Sequence, residues 1–109
     1  MRNAVAAILA AAALAGCITL RAEHALTGEQ RPAWMGPVKV VMEGAPFPGE
    51  YEEIAIVTAT GTAYEASLPT VVEGLQREAA SLGANAVVRV RYDRGSETAT
   101  ATGVAVFLH

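Results

Sequence analysis

The chain is predicted to fold as an α+β domain, a small antiparallel sheet of about four strands in the order β-β-α-β-β packed against one amphipathic helix. Three observations predict it. Short runs rich in β-branched residues, separated by turn residues, lie on both sides of a single stretch with helical periodicity. That stretch carries its own start and stop signals. A length of 109 residues suits one small domain and leaves no room for a second.

Val38 to Met42 is the first expected strand, and Pro46, Pro48 and Gly49 mark the loop after it. Tyr51 to Thr60 is the second. Its centre, Ile54 to Val57, is apolar on both faces, which places it inside the sheet. The helix is expected over residues 69–82. Ser67 is its N-cap, Pro69 falls harmlessly in the first turn, and Gly83 is the stop. At about 100° per residue, Leu68, Val71, Val72, Leu75, Ala79 and Leu82 form one stripe, with Glu73, Gln76 and Arg77 opposite. Glu73 and Arg77 stand in the favourable i, i+4 order, worth about 0.3 kcal/mol. Gly74 falls on the polar side and costs about 1 kcal/mol against alanine, so it reads as a tolerated imperfection before a point where another chain comes close.

Ala86 to Tyr92 is the third strand, with Val88, Val90 and Tyr92 on one face and Val87, Arg89 and Arg91 on the other. Arg94-Gly95-Ser96 reads as a hairpin loop into a long last strand, Thr98 to Leu108. One face of that strand is small (Ala99, Ala101, Gly103, Ala105), which suits close packing of the helix. The other changes halfway from Thr98, Thr100 and Thr102 to Val104, Val106 and Leu108. Either Gly103 bulges and re-aims the strand, or the apolar end is covered by the first strand or by another subunit.

Residues 1–16 carry a different signal. Arg2 precedes an apolar, alanine-rich run from Ala4 to Ala15, and Leu14-Ala15-Gly16-Cys17 closes it. A positive start, a short apolar stretch and small residues before a cut are the grammar of a secretory signal. The run falls short of the ~20 apolar residues of a spanning helix. An ordinary signal with an incidental cysteine, or a buried helix, are the blander readings. Residues 17–37 lack periodicity and are rich in breakers, which reads as a flexible tether before a domain at 38–109. Trp34-Met35 is the exception, and Trp34 either docks on the domain or lies at a lipid interface.

Leu14-Ala15-Gly16-Cys17 resembles the lipobox of bacterial lipoproteins. That resemblance implies acylation of Cys17, cleavage before it, and membrane anchorage by lipid. Ile18, in place of aspartate, then points to the outer membrane, facing the periplasm. The segment Leu82-Gly83-Ala84-Asn85-Ala86-Val87, with Val90-Arg91-Tyr92-Asp93 and Gly103-Val104-Ala105-Val106 after it, resembles the YbjQ-like family, which carries a heavy-metal-binding label. The first of these segments is also similar to one in Rcs stress-sensor-type lipoproteins. The resemblance implies a small antiparallel sheet capped by one helix, and rings of subunits. Asn85 is expected to hydrogen-bond its own turn.

The metal label does not transfer. The single cysteine is committed to lipid, and His24 and His109 lie far apart in sequence, whereas such metals need clustered thiolate or imidazole ligands. One cysteine also excludes an internal disulfide. The net charge is −3, so a basic face for nucleic acid is not expected. The serines have no histidine beside them in sequence, and neither catalysis nor a cofactor is expected. Arg89, Arg91 and Arg94 are the candidate anion or partner surface, against simple pairing with Glu50, Glu52, Glu53 or Glu97. Glu50, Glu52 and Glu53 lack the spacing of a calcium loop. Two roles follow as expectations. One is a non-catalytic interaction or assembly module of the envelope, acting as a homo-oligomer or with another envelope protein. The other is a stress-sensing or ligand-binding lipoprotein.

Overall fold

A computed structural model describes residues 20–47 and 49–109. The fold is α+β, with one five-stranded sheet and one helix. The strands are β1 (Leu20–Leu26), β2 (Lys39–Met42), β3 (Tyr51–Thr62), β4 (Ala86–Arg94) and β5 (Thr98–Leu108). The helix α1 (Leu68–Ser81) follows β3 after a 3₁₀ turn, Ala63–Glu65. The spatial order is β1-β3-β5-β4-β2.

Two features correct the expectation. There are five strands rather than four, because Leu20–Leu26 pairs antiparallel with β3. The sheet is also mixed, because β2 runs parallel to β4. The extra strand escapes a reading by propensity. Leu-Arg-Ala-Glu-His-Ala-Leu holds no β-branched residue, and β3 supplies the hydrogen-bonding partner that makes it extended.

The helix follows its local signals closely. Ser67 Oγ accepts from the Thr70 N–H at 3.4 Å. At the other end Gly83 has φ +88, a left-handed conformation suited to glycine. Gly83 N–H donates to Ala80 O and Ala84 N–H to Ala79 O, which closes the last turn. Val71, Leu75 and Ala79 are buried on the sheet. They meet a floor of small side chains, Ala55 and Ala59 of β3 with Ala99, Ala101 and Ala105 of β5. Gly74 is not on a polar side and is no mere imperfection: it is buried where β1 of the same chain comes close. A Cβ there would lie 3.2 Å from Leu20 Cδ1, so β1 passes over the helix at that glycine.

The opposite face of the sheet has a second, smaller core. Val41, Ala86, Val88 and Val106 pack with Phe47, Tyr51, Val104 and Leu108. The apolar half of β5 is thus covered by β2 and the loop after it. Gly103 makes no bulge. Its neighbours keep register with β3, and a Cβ there would come within 2.6 Å of Val87 Cγ1. The bulge lies across from it, in β4, where Val88 faces Val104 but Arg91 faces Thr102. Arg89, with φ +53, absorbs the extra residue. Alternation therefore breaks, placing Val87, Val90 and Tyr92 toward the helix and Val88 toward the other core. A second register shift at Ile54 in β3 lets Ile54 and Ala55 both be buried.

Asn85 bonds outward rather than to its own turn. Its Nδ2 donates to Leu108 O at 3.1 Å, and its Oδ1 accepts from Leu108 N–H at 2.7 Å. One side chain thereby mimics a strand neighbour and pins the end of β5.

Leu75 is fully buried at the centre of this contact. Leu75→Ala is expected to cost about 2–5 kcal/mol in urea unfolding, through lost apolar contact and the cavity left behind.

Candidate functional site

β1 and β2 lie at opposite edges of the sheet, so residues 27–38 must cross its whole width. They do so along the end where α1 finishes. Carbonyl groups in the last turn of a helix lack intrahelical partners. The crossing segment supplies partners there: Arg31 N–H donates to Leu82 O at 3.0 Å and Trp34 N–H to Ala80 O at 2.8 Å. Gln76 Nε2 donates to Val38 O at 2.8 Å farther along. Residues 20–37, expected as a free tether, thus hold an edge strand and a segment docked on the helix end.

This docking assembles a corner from distant parts of the chain. The Arg31 guanidinium stacks 3.9 Å above the centre of the Phe107 ring and pairs with the Glu52 carboxylate. Trp34 meets the same ring edge-on, with centroids 6.2 Å apart at 82°. Trp34 Nε1 donates to Pro37 O at 3.0 Å, so its one polar atom is satisfied. His109 takes another side of Phe107 at 5.6 Å, and its Nε2 lies 3.5 Å from Glu52. Beside this cluster Met35 projects with 93% of its surface exposed. A groove of about 320 Å³ runs between Pro37 and Val38 on one side and Gln76, Arg77 and Ala80 of α1 on the other. Arginine, tryptophan, phenylalanine and methionine are the residue types that anchor protein interfaces.

The Arg31 guanidinium holds the Glu52 carboxyl below the ordinary carboxylate range by hydrogen bond and charge, with His109 adding to the effect. The acidic group expected from sequence is therefore engaged in part by cations. His24, at another place, pairs through Nδ1 with Glu78 Oε1 at 2.6 Å. Among the described residues no group of three potential metal ligands comes together.

The three candidate arginines do not share a face. Arg91 points away from the helix and pairs with Glu43 at 3.1 Å. Arg89, at the bulge, borders a cavity of about 280 Å³ with Phe47, Tyr51 and Val88. Arg94 pairs with Ala99, whose side chain belongs to the helix-side core, so alternation sends Arg94 to that side. Cys17 lies outside the described residues. Ser67 serves as the helix cap, and Ser81 Oγ donates to Glu78 O at 2.6 Å.

Of the corner, Trp34-Met35 and Glu52 are the parts that stand out in sequence. Arg31, Phe107 and His109 carry no local signal, because only the crossing segment brings them together. Comparison with protein-family models, curated proteins and solved structures finds no match.

Glu52 yields a pH prediction. Its folded-state pKa is depressed, so its stabilising contribution is present above the ordinary carboxylate range and is lost as pH falls through the folded value. The thermal midpoint is expected to fall between pH 7 and pH 3 by less in Glu52→Gln than in the native chain. The difference should shrink in 1 M salt, where ~3 Å screening weakens an exposed pair.

Proposed function

We propose that this chain is a lipid-anchored protein of the bacterial cell envelope, working as a non-catalytic interaction or assembly module. The observation that carries the reading is the run from Arg2 through the apolar stretch to Leu14-Ala15-Gly16-Cys17. Two or more acyl chains hold a protein on a bilayer durably, whereas one does so marginally. Ile18 after the cysteine favours the outer membrane, with the domain in the periplasm.

The geometry supports an interaction role over a catalytic one. The corner of Arg31, Trp34, Met35 and Phe107 offers apolar and π surface, with the Glu52 carboxylate already paired to Arg31. This corner is the proposed partner surface, for a second copy or another envelope protein.

Among the described residues no helix is long and apolar enough to cross a membrane. The anchorage proposed here is covalent, through Cys17. Intact-mass measurement of membrane-extracted protein tests it, with Cys17→Ser alongside. The expected mass begins at residue 17 and carries acyl chains, and the variant lacks them. An unmodified mass, or a soluble product retaining residues 1–16, overturns the anchorage. For the partner surface, a photo-cross-linking residue at Met35 is expected to yield a defined adduct in intact cells, and one at Asp93 none.

A further inference from the structure

Resting on the anchorage at Cys17, we propose that the tip formed by Tyr64 and Leu68 seats in the headgroup region of the same bilayer and fixes the orientation of the domain. The first support is reach. Only Ile18 and Thr19 separate Cys17 from Leu20, the first residue of β1. Three residues of chain cover at most about 10 Å in any conformation. The lipid therefore draws the Leu20 end of the domain against the membrane.

The second support is what stands at that end. Leu20 pairs with Gly61, Gly61 with Ala99 and Ala99 with Arg94, so these four form one row across the sheet. The 3₁₀ turn follows Gly61 directly after Thr62. β1 and α1 run in the same direction, since Leu20 lies over Gly74 and His24 reaches Glu78. Going back from Gly74 to Leu68 raises the helix by about 9 Å. That rise is within the span the chain can cover from Leu20 back to Cys17, so Leu68 stands within reach of a bilayer held at Cys17.

The third support is exposure. Leu68 belongs to the apolar stripe of the helix yet is 42% exposed, and Tyr64 is 88% exposed. The turn that presents Tyr64 is held in place: Ala63, with φ +52, donates to Glu97 O at 2.9 Å, and Ala66 N–H returns to Ala63 O at 3.1 Å. A fixed tyrosine with an apolar ring and a wet hydroxyl, beside a leucine, suits the boundary between headgroups and acyl chains. Charge does not select the surface, because that end carries both signs: Arg21 and Arg94 lie on the last two rows of the sheet with Asp93, and Glu65 and Glu97 belong to the adjoining turns.

Trp34 lies at the opposite end of the helix and serves as the internal control. The lipidated full chain is reconstituted in vesicles of phosphatidylethanolamine and phosphatidylglycerol with brominated acyl chains. Tyr64→Trp in a Trp34→Phe background is compared with the native chain, and acylation of each sample is read by mass. Seated some 5–10 Å into the boundary, the indole at position 64 is expected to lose at least about two-fold of its emission, while native Trp34 is unaffected. An acylated sample whose position 64 is unquenched overturns the tip and leaves the anchor standing. Equal quenching at both positions also overturns it. A sample without acyl chains overturns the anchor and the tip together. If Trp34→Phe does not fold, a nitroxide on Leu68→Cys reads the same depth with Trp34 in place, since an acylated Cys17 cannot be labelled. Greater relaxation of that label by oxygen than by a water-soluble nickel chelate supports the tip, and the reverse overturns it.

Discussion

The close seating of one helix on a floor of alanines is the contact on which the rest of the structure depends. Ala55, Ala59, Ala99, Ala101 and Ala105 keep the centre of the sheet low, and Val71, Leu75 and Ala79 descend onto it. Interiors gain stability from density, and small residues on one layer allow large ones on the other to interdigitate. A single cysteine leaves no internal disulfide to supplement this core. Gly103 belongs to the same design, because Val87 and Val90 lean over the space where its side chain would be.

Seating a helix on one face leaves the other face, the sheet edges and the helix ends to be dealt with. The second face is half covered by Phe47, Tyr51 and Val41. Its remaining half carries threonine pairs, Thr58 with Thr102 at 3.4 Å and Thr60 with Thr100 at 3.3 Å between hydroxyls, which can face water. The bulge at Arg89 lets β4 serve both cores, sending Val88 to one and Val90 to the other. The crossing segment then links the two edge strands and satisfies carbonyls at the helix end in the same passage. One stretch of chain without regular structure thus completes both the sheet and the helix.

The outcome is a domain with two unlike ends. At one, the chain enters β1 beside an exposed tyrosine and leucine. At the other, Arg31, Trp34 and Phe107 stack around a paired glutamate, with Met35 projecting. Strands and helix run lengthwise between them, so whatever orients one end sets the height of the other. Under the proposed anchorage at Cys17, that arrangement would hold the partner surface at the end of the domain away from the bilayer.

Where structure is dictated by near neighbours along the chain, the sequence by itself determined it. The helix, with its Ser67 cap and Gly83 stop, is legible because caps and periodicity act within a few residues. Four strands and the small face of β5 are legible for the same reason, and Trp34-Met35 stood out from its polar surroundings. Tertiary structure alone decided that Leu20–Leu26 is a strand, that β2 runs parallel to β4, that the bulge falls at Arg89 rather than Gly103, and that Arg31 and Trp34 close on Phe107. Each of these is settled by a partner far away in sequence. An edge strand needs a neighbour's free hydrogen-bonding groups, a bulge needs two cores to serve, and a stacked arginine needs a ring from the other end of the chain. Local pattern records none of these, because their free energy comes from contacts that exist only once the chain has closed on itself.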